Sequence, residues 1–271
     1  YDPNRRLREL MSDTALAPHH SHDPIPSKWP IITALGAGML PVGIVMNGHG
    51  NKNGLAILML GLLITIIGAS RWWGELLRDK FTGKDLSDAD GRLRTSFKLF
   101  IGSEAAIFAA FFAALFYARY HAKVWPPEGM PHFSILLPAV NTFVLLFSSV
   151  TCHFAHMALE RGRKEHFVSG LLMTIFLGAI FLCGQAYEYG VLNGEAFSMK
   201  SGIFGTTFFM LTGFHGLHVL MGVIFLNVVY VAAMKGHITK EQHFPFLAAG
   251  WYWHFVDAIW VGVFSVVYLL Q

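Results

Sequence analysis

The residues that could do chemistry lie where charge is expensive to hold. His254 and Asp257 fall in the string Trp251-Tyr252-Trp253-His254-Phe255-Val256-Asp257-Ala258-Ile259-Trp260. That string sits inside an apolar run, Phe246 to Leu270, long enough to cross a bilayer at about 1.5 Å per residue. An ionised Asp at mid-bilayer costs on the order of 2.5–3.5 kcal/mol, so Asp257 must face protein or water rather than lipid. The spacing is read as placing Trp251, His254 and Trp260 near one side of a helix, with Trp253 and Asp257 sharing another. Taken alone, the string suits interfacial tryptophans and an Asp satisfied by a neighbouring helix.

Four more polar clusters sit in apolar runs. Glu104, in Phe100-Ile101-Gly102-Ser103-Glu104-Ala105-Ala106-Ile107-Phe108, must be neutral or paired at membrane depth, as a proton carrier or as a structural hydrogen-bonding group. His153/His156 and His215/His218 are pairs three apart, each sharing a helix face, so a metal or haem site has to be weighed. The two pairs fall at different depths and no C-x-x-C-H occurs, which favours cross-helix hydrogen bonding. Gln185, Tyr187 and Glu188 cluster near the end of another run. No phosphate-binding glycine loop, H-E-x-x-H or nucleophile elbow is present.

Positioning these residues takes membrane helices. Of 271 residues, 54% are hydrophobic and only 14% charged, and the mean hydropathy is +0.48. A soluble domain carries roughly 25% charged residues. Seven apolar spans are expected: 29–46, 54–73, 97–117, 136–158, 167–187, 203–234 and 246–270. Gly36, Gly38 and Gly43 in the first should allow close helix approach, and Pro41 is tolerated there. A polar loop is expected from Gly74 to Arg94, and a rigid turn at Trp125-Pro126-Pro127-Glu128-Gly129. Cys152 and Cys183 lie in apolar runs, so neither a disulfide nor a thiolate metal site is indicated. Residues 1–28 form a polar segment whose His19-His20-Ser21-His22 run suits a surface tail. Because the chain opens on Tyr1, an incomplete or processed terminus is expected.

Seven crossings put the termini on opposite sides. Sixteen of the 20 basic residues fall on the N-terminal side, and Lys52, Arg119, Lys123 and Lys200 on the other. The positive-inside rule then places the N-terminus in the cytoplasm and the C-terminus outside.

Six strings in order and in register make the chain resemble subunit III of the haem–copper cytochrome c oxidases. They are Gly102-Ser103-Glu104, Trp125-Pro126-Pro127-Glu128-Gly129, Asn141-Thr142, Gln185-Ala186-Tyr187-Glu188-Tyr189, Thr212-Gly213-Phe214-His215-Gly216-Leu217-His218-Val219 and Trp251 to Asp257. The resemblance spans roughly Trp29 to Leu270. It implies an all-α integral membrane protein of seven helices, with helices one and two (29–73) set apart from helices three to seven (97–271) by a lipid-holding cleft. It implies no haem, copper or other metal in this chain, those cofactors belonging to partner subunits. The implied partners are subunit I, packed directly, and subunit II in the same complex, together with membrane phospholipids and a wider respiratory supercomplex, but no nucleic acid. The implied role is support of subunit I in O2 reduction and proton pumping: binding structural lipid, maintaining proton uptake and preventing turnover inactivation. The implied location is a bacterial inner membrane.

Carried over by residue, Glu104 matches the family's buried glutamate, and Trp73, Arg78, His237 and Trp251 match lipid-contacting positions. Where mitochondrial relatives carry an arginine this chain has Ala232, with Lys235 one turn on, and a lysine lacks the bidentate grip of a guanidinium. The intramembrane polar set is His153, His156, Glu188, His215, His218, His254 and Asp257. The rival readings are the equivalent subunit of a quinol oxidase, and a freestanding transporter or haem b carrier.

Overall fold

The computed structural model describes residues 27–81, 87–127 and 134–270, so the 19–22 histidine run and Glu128-Gly129 lie outside the described residues. The side chains at 73, 76–81, 87–90 and 92 are likewise outside, Trp73 and Arg78 among them. Within these limits the chain is all helical: α1 (Trp29–Gly48), α2 (Gly54–Phe81), α3 (Ser87–His121), α4 (Leu136–Glu160), α5 (Lys164–Gly194), α6 (Gly202–Met234) and α7 (Phe244–Phe264). A π-helical turn, Ser265–Leu269, continues α7. All seven helices contain stretches long and apolar enough to cross a membrane.

One expectation is corrected. The Gly74–Arg94 stretch is not a loop: α2 runs on to Phe81 and α3 starts at Ser87, leaving only residues 82–86 between them. No proline interrupts Gly74–Phe81, and Glu, Leu, Arg and Lys are strong helix formers, so the helix has no reason to stop at the edge of the lipid. Ser87 followed by Asp88 and Asp90 is a helix-start sequence.

Two glycines shape the tight turns of the later helices. Gly162 (φ 71°) follows α4 and Gly236 (φ 78°) follows α6, each in the left-handed region that an L side chain resists. The next N–H then reaches back five residues, Arg163 to the Ala158 carbonyl and His237 to the Ala232 carbonyl, both at 2.9 Å. That is the closure that satisfies orphan carbonyls at a helix end.

The helices fall into two compact units that divide between Leu86 and Ser87. In the first, α1 and α2 pack antiparallel along a seam of glycines. Gly36, Gly43, Gly54, Gly61 and Gly68 are the buried residues among those described, spaced by sevens on each helix. A Cβ on Gly43 would lie 2.6 Å from the Leu58 nitrogen, and one on Gly36 2.7 Å from that of Thr65. Gly38 faces open space and takes no part in this seam. At one end Glu75 accepts from Ser27 Oγ (2.7 Å) and Trp29 Nε1 (2.9 Å).

In the second unit α3 to α7 surround a core of large side chains, with Trp253, Trp260, Phe108, Phe181 and Phe208 fully buried. Trp253 is seated between glycines: a Cβ on Gly178 of α5 or Gly222 of α6 would lie 2.6 Å or 2.9 Å from its ring.

Candidate functional site

Trp260 is corrected from the side assigned to it by spacing. It is buried with Trp253, Val256 and Asp257, whereas Trp251 is half-buried and His254 exposed. The nine residues from Trp251 to Trp260 make two and a half turns, which carries Trp260 to the opposite face. Nor are Trp253 and Trp260 interfacial. Each donates its indole N–H to a hydroxyl of α4, Trp253 to Ser148 Oγ and Trp260 to Thr142 Oγ1, both at 2.9 Å. Thr142 Oγ1 donates in turn to the Pro138 carbonyl of its own helix. Each hydroxyl can therefore bond its own helix and its neighbour at once, so both indole N–H groups are satisfied between the helices.

Ser149, one residue on from Ser148, serves the other side of α7. Its hydroxyl donates to Asp257 Oδ2 and meets His254 Nδ1 at 2.7 Å. With its one proton given to Asp257, the hydroxyl can only accept from His254, which fixes the Nδ1–H tautomer. Asp257 is thus held by a neighbouring helix, although its Oδ1 has no hydrogen-bond partner among the described residues.

Glu104, half-buried, and His218, buried, form a carboxylate–imidazole pair, Oε2 to Nε2 at 3.0 Å, joining α3 to α6. His218 Nδ1 lies 2.8 Å from the Phe214 carbonyl, an acceptor, so Nδ1 carries a proton. A hydrogen bond on the other side of the ring then needs one further proton shared by Nε2 and Oε2. Whether that proton sits on His218 or on Glu104, the pair carries no net charge, which is what membrane depth demands.

Near the other membrane face, Gln185 Nε2 donates to the Thr212 carbonyl at 2.7 Å, and Tyr189 Oη donates to Thr212 Oγ1 at 2.7 Å. Buried Glu188 accepts from Tyr268 Oη at 3.1 Å, tying α5 to the π-helical turn. Thr151 and Thr174 join α4 to α5 at 2.8 Å.

The expected polar set is therefore several separate ties, not one network. His215 is fully buried against Trp260, Phe181 and Phe108, and neither ring nitrogen has a hydrogen-bond partner among the described residues. His153 is exposed, and His156 faces Glu160 on its own helix at 3.7 Å. Tyr187 is also exposed. No three His, Cys, Asp or Glu side chains among the described residues converge into a metal-binding group.

Of the residues expected to touch lipid, Trp251 is half-buried against Phe97 of α3, with Lys98 Nζ 5.2 Å above its ring. Lys235 and His237 are exposed in the turn after α6, and Ala232 is half-buried against the core. Ser148, Ser149, Thr174 and Tyr268 escaped the sequence reading, and Thr142 entered it only within a matching string, without a partner.

Seven lipid-length helices whose polar groups bond one another across the bundle define an all-helical, multi-pass membrane protein. The family model for cytochrome c oxidase subunit III matches residues 19–271. Cytochrome c oxidase subunit 3 of Mus musculus is 40% identical over 257 residues, covering 92% of this chain and 97% of the mouse one. Those of Rattus norvegicus and Dugong dugon are 41% and 40% identical with the same coverage. The chain belongs to the cytochrome c oxidase subunit III family, and so to an oxidoreductase complex with other oxidase subunits.

Proposed function

We propose that this chain is the cofactor-free subunit III of a cytochrome c oxidase in the aerobic respiratory chain. It supports subunit I, alongside subunit II, by holding structural phospholipid, maintaining proton uptake and preventing turnover inactivation. The observation that carries this reading is the Glu104–His218 pair, whose two ionisable groups bond each other across α3 and α6. A hydrogen-bonded carboxylate–imidazole pair suits either a structural tie or a proton relay, and both are supporting roles.

The lipid-contacting residues are Trp73, Arg78, Lys235, His237 and Trp251. Lys98 over the Trp251 ring supports this, since a cation beside an indole is the usual anchor at a membrane interface. Lys235, exposed where Ala232 cannot reach a phosphate, takes the place of the relatives' arginine. The membrane is a bacterial plasma membrane, with the N-terminus in the cytoplasm. The asymmetry of basic residues supports that orientation.

Lys235→Gln combined with His237→Gln should lower the phospholipid retained by the purified complex and the number of turnovers before inactivation. Unchanged lipid content and lifetime would overturn the lipid role. Glu104→Ala should leave haem absorbance intact, and its loss would contradict the placement of the metals in partner subunits.

A further inference from the structure

Between the ends of α4 and α5 that face the basic side of the membrane lies a groove of about 530 Å³. We propose that it is a binding site for one anionic phospholipid of that leaflet, with Arg161 and Arg163 on the phosphate and an acyl chain along Phe154, Met157 and Met173. The site needs only that the chain spans a membrane, and does not depend on the supporting role proposed above.

The lining divides by chemistry along its length. Arg161, Arg163 and His166 stand at the turn between the helices, with Ser169 just below, and the deeper wall is Phe154, Met157, Gly170 and Met173. No carboxylate lines it. The acidic residues nearest in sequence to its arginines are Glu160, which faces His156, and Glu165 in the first turn of α5. An arginine presents a planar fork of donors that matches phosphate oxygens, and two of them flank one turn. The floor is closed where the helices touch, a Cβ on Gly170 lying 3.1 Å from that of Ala155.

Depth decides the occupant. Thr151 lies nine residues before Glu160 and Met173 nine beyond Lys164, so the groove penetrates about 14 Å on both helices. A leaflet is half of a hydrocarbon core of about 30 Å. A cationic mouth at headgroup level above an apolar wall one leaflet deep has the dimensions of a single phospholipid. A free anion would leave the wall unused, and a bare acyl chain would leave the arginines unused.

The test uses the purified oxidase complex in nanodiscs doped with diazirine-acyl phosphatidylglycerol or, separately, diazirine-acyl phosphatidylcholine. After irradiation the adducts are mapped on residues 151–173. Phosphatidylglycerol should label this segment several-fold more than phosphatidylcholine. Arg161→Gln and Arg163→Gln should each lower that labelling about fivefold, the scale of one basic residue acting on an anionic lipid. Ser169→Trp should block it with both arginines in place, while complex yield and haem absorbance stay unchanged. Equal labelling by both lipids, unaffected by the arginine substitutions, would mean ordinary annular lipid and overturn the site. An unlabelled segment on an otherwise labelled chain would mean that a partner protein covers the groove, which also overturns it.

Discussion

The α1–α2 unit and the α3–α7 unit solve the same problem with opposite means. Inside a membrane the hydrophobic effect gives helices no reason to associate, so packing contacts and hydrogen bonds must do it. In α1–α2 the buried residues among those described are five glycines, and two backbones lie against each other. In α3–α7 the buried residues are large aromatics, and hydroxyl, indole, carboxylate and imidazole groups tie helix to helix. The glycine seam is shape, with one polar tie, Glu75 to Ser27 and Trp29, at its end. Polar ties fix register as well, since each donor must meet its acceptor, and the Glu104–His218 pair lies where register is fixed.

Trp253→Ala should separate the two units most sharply. It empties the fully buried site between Gly178 and Gly222 and removes the N–H donor to Ser148, so the loss should be about 3–5 kcal/mol. Steric-trap or denaturant unfolding in bicelles would measure it, and a loss below about 1 kcal/mol would mean that the aromatic core does not hold the larger unit. Gly43→Leu is the matching experiment in α1–α2. Overpacking against Leu58 should cost about 1–3 kcal/mol and weaken α1–α2 disulfide cross-linking, while Gly38→Leu, in open space, should leave it unchanged. Equal effects at both glycines would refute the seam.

Smaller effects test the ties one at a time. A double-mutant cycle of Glu104→Ala and His218→Ala should return a coupling of about 0.6–1.7 kcal/mol, the range for interhelical hydrogen bonds in membranes. A coupling near zero would mean that the two side chains do not depend on each other. Thr142→Val keeps the shape and removes the acceptor of the Trp260 N–H, so it should cost about 0.6 kcal/mol in the same assay.

Some of this was open to reading from residues alone. Gly36 and Gly43 could be assigned to a helix contact because a missing side chain has a simple consequence, whereas Gly54, Gly61 and Gly68 completed the seam only once α2 was aligned with α1. Asp257 could be given a neighbouring-helix partner because lipid would not tolerate it unpaired, but naming Ser149 needed the antiparallel register of α4 and α7. Hydroxyls are hard to assign in membrane helices, where Ser and Thr can bond the carbonyl four residues back, as Thr142, Thr174 and Thr212 do. The Gly74–Arg94 stretch was misread because charge was taken to mean loop, when charge ends only the lipid-facing part of a helix.

The supporting role is tested most directly by capturing this chain from mild-detergent membranes. Reduced-minus-oxidised spectra and oxygen uptake with reduced cytochrome c would then be recorded before and after the chain is stripped from the complex. The account predicts that the haem–copper subunits come down with the chain, that haem absorbance stays with them after stripping, and that oxygen uptake starts normally but fails after fewer turnovers. Haem absorbance leaving with this chain, or a chain that comes down alone, would contradict it.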